Sequence, residues 1–177
     1  VYNIGKSCSA VLQDLGTMGR SIKPATFLAL ERVVKVTGDL QAGQEVIAVL
    51  KDWDRAVCSL DLHKIIAHCS ADVSLFDVST QMSGIAAYQQ LWERDLAYLR
   101  TGLRVFRDHL NVHAAPDLAF VSCYSKVDLE SGAPAPDIPW CRTTLCFRKK
   151  RHQWKIVHQH ISMPVDLQSG QAAQWRL

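Results

Sequence analysis

WCRTTLCFRKKRHQWKIVHQHISM, residues Trp140 to Met163, is the stretch that decides how this chain folds. Two runs rich in β-branched and aromatic residues flank a basic tip, Lys149-Lys150-Arg151-His152-Gln153, which is how two long antiparallel strands are written. Side chains on a strand alternate between faces. Strict alternation therefore puts Trp140, Arg142, Thr144 and Cys146 on one face of the first strand, and Cys141, Thr143, Leu145 and Phe147 on the other. The second strand divides into Trp154, Ile156, His158, His160 and Ser162 against Val157, Gln159, Ile161 and Met163. Neither face is plainly wet. A sheet covered on both sides, with an arginine and two histidines among apolar neighbours, is either packed around a pocket or pressed against a partner, and the hairpin alone leaves both readings open.

Upstream of the hairpin lie two more predicted strands, Leu103 to Ala114 and Leu118 to Val127, joined by Ala115-Pro116-Asp117, where proline presets the angle a turn needs. A long loop, DLESGAPAPDIP over residues 128–139, leads into the hairpin. Earlier still the period changes from two to between three and four. Val46, Val49, Leu50, Trp53, Val57 and Leu60 form the stripe of an amphipathic helix starting at Gly43, with Lys51, Asp52, Asp54 and Arg55 turned away. A short helix over Leu62 to Cys69 follows. Val73, Leu75 and Asp77 then alternate with Ser74, Phe76 and Val78 as a short strand, and Ser83-Gly84 punctuates the chain before a third helix, Ile85 to Leu99, with Ile85, Tyr88, Leu91, Trp92 and Leu99 inward. Three helices with one inserted strand, then four antiparallel strands, is an α+β layout with helices covering one side of a curved sheet.

The ends are less regular. Gly5, Gly16 and Gly19 break up the first residues, and Pro24 opens a helix over Ala25 to Val36 that Gly38 closes. The expected organisation is an N-terminal extension over 1–40, one domain over 41–165 and a tail over 166–177. At 177 residues, with 20 basic against 17 acidic side chains, the chain has the length of a single domain and lacks the basic clustering of a nucleic-acid surface. Its one dense basic run, Arg148 to Arg151, reads as a solvated turn. Six scattered cysteines without close metal-ligand spacing read as small buried hydrophobes in a reducing compartment. No apolar stretch has the length of a signal peptide or a bilayer span, so the expectation is a cytoplasmic protein with no membrane partner.

The order helix, D-x-V strand, Ser-Gly, helix and hairpin pair, followed by Arg142-x-Thr144 and W-K-I-V-H-x-H-x-S over Trp154 to Ser162, resembles the nuclear-transport-factor-2-like superfamily in its SnoaL-like and ketosteroid-isomerase-like branch. The resemblance covers roughly Gly43 to Pro164. The closing WKIVHQHISMP is similar to the end of the association (hub) domain of calcium/calmodulin-dependent kinase II, and Trp53 to Asp77 aligns without a gap to ketosteroid isomerase. The implied fold is a conical half-barrel, a bent antiparallel sheet wrapped on about three helices around a pocket, usually paired as a homodimer through the outer sheet face. Carried over by motif, the cavity face takes Val157, Gln159 and Ile161 from the last strand and Arg142 and Thr144 from its neighbour, leaving His158 and His160 toward a partner subunit.

The same resemblance names the candidate chemistry. Asp77 aligns with the carboxylate that shuttles a proton beside a carbonyl in ketosteroid isomerase; the alternative is a strand-end aspartate capping the next loop. The matching oxyanion donors here are Trp53 and Thr144, not the tyrosine and protonated aspartate of that enzyme, which argues against steroid isomerisation. Arg142, on the implied cavity side, needs an anion, either an internal carboxylate such as Asp77 or a ligand oxygen held with Thr144 and Gln159. Trp53, Tyr88 and Trp140 serve as flat walls or simply as core. His158 and His160 point the same way on a strand but no third ligand is in evident spacing, and Ser162 lacks a nucleophile elbow, so no metal, cofactor or hydrolase chemistry is expected. The leading reading is a pocket protein for an apolar carbonyl or carboxylate compound, catalysing isomerisation, cyclisation or dehydration through Asp77. A non-enzymatic oligomerisation or ligand-sensing module like the kinase hub is the alternative.

Overall fold

In this computed structural model the described residues are 34–96, 103–129 and 140–173. They form β1 (Val34–Gly38), α1 (Leu40–Cys58), α2 (Leu62–Ala67), β2 (Cys69–Phe76), β3 (Gln81–Ser83), α3 (Ile85–Leu96), β4 (Leu103–Ala114), β5 (Leu118–Leu129), β6 (Cys141–Lys150) and β7 (Gln153–Ser162). The strands make one curved, open sheet in the order β1-β4-β5-β6-β7-β2-β3. Its centre is the expected antiparallel meander β4 to β7. The flanks differ: β1 joins β4, and β2 joins β7, in parallel. Parallel pairing needs a long crossover, and the helices and the meander itself supply it.

Helix α1 begins where the Asp39 side chain accepts from the Ala42 N–H at 2.9 Å, and it buries Ala42, Val46, Leu50, Trp53 and Val57 at helical spacing. It packs on β1 and β4, while α3 covers β2 and β3. The entry to α1 requires Gly38. Its φ is +90°, and a Cβ there would stand 2.2 Å from the Ala114 carbonyl oxygen, which instead accepts from the Asp39 N–H at 2.8 Å. Between helices and sheet lie Leu145, Phe147, Ile156, Val112, Val121 and Val73, each fully buried and each worth roughly 1.5–3 kcal/mol as an upper estimate.

Four expectations change. Val34 to Val36, read as the end of a helix from Ala25, is part of strand β1; residues 25–33 lie outside the described residues, as does Leu99. Asp54, read as turned away from the core, reaches the sheet through Arg107. The start of the expected tail closes on itself, with Val165 bridging Ala172 and Asp166 accepting from Gln168 and Ser169. Finally, β7 does not alternate strictly. Cys146 pairs with His158 and Phe147 with Ile156, so Val157 is an extra residue in a β-bulge. The bulge puts Trp154 and Ile156 on the same inner face as Gln159, and all three are buried.

Candidate functional site

Gln159 and Tyr88 anchor the interior. Leu75 on β2 and Leu145 on β6 flank Gln159 in register, so its amide enters the core, where Oε1 accepts a hydrogen bond from the Tyr88 O–H at 3.1 Å. Tyr88 sits on the inward stripe of α3 at 1 % exposure, and burial, then the neighbouring Cys69, pushes its pKa well above the ordinary tyrosine value. The phenol is therefore a permanent donor. One helical turn on, Trp92 meets Tyr88 edge-on, with centroids 6.4 Å apart, and Trp92 meets Trp53 of α1 the same way at 6.3 Å. Both indole Nε1 atoms are buried and, among the described residues, neither meets an acceptor at good hydrogen-bond geometry, although the Trp92 indole lies near enough to the Tyr88 oxygen to oppose in part the rise that burial causes in the phenol pKa.

Beyond Trp53 stands Arg107 of β4, its guanidinium 5.8 Å from the indole centroid. Nε and Nη2 donate to the two carboxylate oxygens of Asp54 at 2.8 and 2.7 Å, while Nη1 meets the Cys123 sulfur at 3.5 Å. Burial alone would lower the arginine pKa; the Asp54 carboxylate outweighs it and holds the guanidinium above its ordinary value. Burial likewise raises the Cys123 thiol, an effect that the same guanidinium partly offsets. A continuous line of side chains thus runs from Arg107 through Trp53, Trp92 and Tyr88 to Gln159, between the helices and the sheet.

Asp77 lies one residue past β2, in the alternation of Leu75, and is half-buried. Its Oδ1 accepts from the Val78 N–H at 2.8 Å, and its own N–H donates to the Thr80 carbonyl at 2.8 Å, so it does cap the turn into β3. It is also close enough to Tyr88 for its charge to act on the phenol.

Arg142 and Thr144 are not brought to this line, which corrects the expected cavity face. On β6 the inward side chains are Cys141, Thr143, Leu145 and Phe147, all buried, and Gln159 pairs with Leu145. Thr144 pairs with His160 and Arg142 with Ser162, on the outer face, where Arg142 is exposed and needs no internal anion. Trp140, half-buried, precedes β6 in the phase of Arg142. The alignment of Thr144 with an oxyanion donor therefore fails, because that position faces outward.

Sequence reasoning passes over Arg107 and turns its partner Asp54 outward. The signal was present, since Leu103, Val105 and Arg107 share one alternation and Asp54 adjoins Trp53 at the edge of the α1 stripe. On the outer face, His113, Phe120, Cys146, His158 and Ser74 form one row across the sheet. His113 stacks on Phe120 at 4.6 Å, and His158 Nδ1 shares a hydrogen bond with the Ser74 hydroxyl at 2.8 Å. Burial and the charge of His160 lower the His158 pKa. Among the described residues no group of three or more His, Cys, Asp or Glu side chains is placed to hold a metal ion, and no described helix is long and apolar enough to cross a membrane.

Residues 46–166 match the family model of the SnoaL-like domain. The chain belongs to the SnoaL-like domain family. Solved structures agree with this SnoaL-like fold. A nuclear-transport-factor-2-like protein of unknown function from Pseudomonas putida is 27% identical, with a TM-score of 0.67 over 76% of this chain and 95% of that one. A candidate ketosteroid isomerase from Shewanella frigidimarina is 22% identical, with a TM-score of 0.56 over 72% of this chain and 99% of that one. A candidate calcium/calmodulin-dependent protein kinase type II association domain from Thiobacillus denitrificans is 19% identical, with a TM-score of 0.56 over 68% and 94%. At those identities the last two speak for the SnoaL-like fold alone. No curated protein matches the chain.

Proposed function

We propose that this SnoaL-like domain binds a small, largely apolar carbonyl or carboxylate compound between its helices and the inner face of its sheet, and moves a proton on it. The observation that carries the reading is the Trp53 indole N–H, on a side chain 4 % exposed and without an acceptor among the described residues. An indole N–H only donates. Leaving such a donor unpaired in the interior costs about 1–3 kcal/mol, a penalty that a ligand oxygen removes. Trp92 offers a second indole beside it, and Tyr88 and Gln159 supply a rigid, hydrogen-bonded wall.

Asp77 is the proton carrier in this reading. Its carboxylate takes the proton from the carbon next to the carbonyl; the C–H electron pair becomes the C=C bond of an enolate, and the carbonyl π pair moves onto oxygen, where the indole N–H groups hold it. Return of the proton to a different carbon of an unsaturated compound isomerises it; where a β-hydroxyl is present, the enolate re-forms the carbonyl, its C=C pair shifts to a new C=C bond as the C–O bond breaks, and the hydroxide leaves as water with the proton that Asp77 took. An isomerase, cyclase or dehydratase is the reaction class. The test is α-proton exchange of 2-acetonaphthone in deuterium oxide, followed by proton NMR. We expect exchange above the buffer rate with the native chain and none with Asp77→Asn, and the ketone should move the Trp53 indole resonance. Exchange that persists in the variant removes Asp77 from the mechanism; an unmoved indole resonance removes the site.

A second reading rests on the outer face, where Phe76 and Phe120 are 50 % and 44 % exposed. Two copies pairing through this face would cover both rings as a homodimer, and a larger ring would make the domain an assembly hub without chemistry. Solution mass separates these: a dimer keeps the pocket reading, and a higher ring favours the hub. Cytoplasmic residence belongs to the same proposal, because Cys58, Cys69, Cys123, Cys141 and Cys146 are all free thiols.

A further inference from the structure

We infer that the interior of this domain selects an uncharged carbonyl compound over the matching carboxylate, and that Asp54 sets this selectivity by neutralising Arg107. The inference rests on the pocket reading proposed above and narrows it. The Arg107 side chain is 9 % exposed, and both of its shortest contacts go to one carboxylate. A guanidinium carries five N–H donors in a fixed fork. Asp54 takes two and Cys123, a weak acceptor, takes a third. Arg107 therefore retains hydrogen-bonding capacity beside Trp53 while its charge is already compensated.

The other ionisable groups around the line of rings supply no surplus positive charge. Asp95 of α3 is 4 % exposed and pairs with the Nε of Arg94, whose side chain is 58 % exposed. Asp77 stands at the end of β2, half-buried. Burial keeps the Tyr88 phenol and the Cys69 and Cys123 thiols in their neutral forms. The described interior is thus balanced or negative. A carboxylate entering it would be a buried charge without a counter-charge, which is heavily penalised. A ketone or ester oxygen accepts from Trp53 and from the remaining guanidinium donors and brings no charge with it.

The test compares two nearly isosteric probes, 2-acetonaphthone and 2-naphthoate, by calorimetric titration at neutral pH, with the Trp53 indole resonance as a site marker. The native chain is expected to bind the ketone more than about tenfold tighter than the carboxylate. Asp54→Asn keeps the shape of the side chain and releases the guanidinium charge, so the order should reverse. Naphthoate binding as tightly as the ketone to the native chain overturns the inference, and that arm needs no variant to fold. A folded Asp54→Asn that still prefers the ketone overturns Asp54 as the selector. If neither probe moves the Trp53 resonance, the pocket reading itself fails and takes this inference with it.

Discussion

Arg107 on β4 and Asp54 on α1 are joined by two near-parallel hydrogen bonds of 2.8 and 2.7 Å, which fasten the first long helix to the inner face of the sheet. With side chains 9 % and 19 % exposed, this pair is largely withdrawn from water. Such pairs add little over an apolar replacement but are expensive to halve, because the surviving charge is left buried. Asp54→Ala is expected to lower the unfolding free energy by about 3–5 kcal/mol. The double change Asp54→Leu with Arg107→Met should recover most of that loss in urea titrations. A single variant as stable as the native chain would show that the pair is not held as described.

The Tyr88–Gln159 hydrogen bond makes a second, smaller demand. Tyr88→Phe removes the donor and leaves the Gln159 oxygen buried without it, for an expected loss of about 1–3 kcal/mol in denaturant. Replacing Gln159 by Met in the same background should add little further, because the unsatisfied oxygen goes with it. Fully additive losses would mean that the two side chains act independently.

The hairpin between β6 and β7 turns on two residues, Arg151 and His152, with φ of 49° and 65°. Both angles belong to a turn that asparagine and glycine adopt with less strain. Arg151→Asn with His152→Gly should raise stability by about 1 kcal/mol, read as an increase in Tm. A fall in Tm would mean that the basic tip makes contacts worth more than the relieved backbone strain.

Acid sensitivity has a named contributor beside the tip of the same hairpin. The Lys149 ammonium, 2.7 Å away, and then the Trp154 indole N–H bring the Glu45 carboxyl down to about 2 from an ordinary 4.5. A carboxyl whose pKa is lower in the folded chain favours folding while ionised. Its contribution is complete above about pH 4.5 and disappears as pH falls toward 2. The Tm difference between the native chain and Glu45→Gln should be constant near neutrality and shrink across that interval. A difference independent of pH would assign the effect of Glu45 to packing.

The meander and the two longer helices, α1 and α3, are legible because each is a long segment with one clear period, and the turn residues between them agree. β1 is not. It is five residues long, directly follows Ala25–Val33, and is fixed by pairing with β4, which no local pattern announces. Trp53, Tyr88 and Gln159 could be read as inward from spacing and resemblance, and all three are buried. The side of the sheet occupied by Arg142 and Thr144 could not be taken from the same resemblance, because it turns on the cross-strand register between β6 and β7. Counting in twos then failed across Val157 for the same reason. Arg107 went unnoticed because a charged residue on a strand reads as solvent-facing until its partner, fifty-three positions away, is placed beside it.

Val157 also makes the last strand tolerant of length change. Without it, Ile156 would still face Phe147 and His158 would still face Cys146, so the strand could lose one residue and keep both walls lined as they are. Homologues shorter by one residue at this point can therefore carry the same interior, and an alignment gap there marks no rearrangement of the sheet.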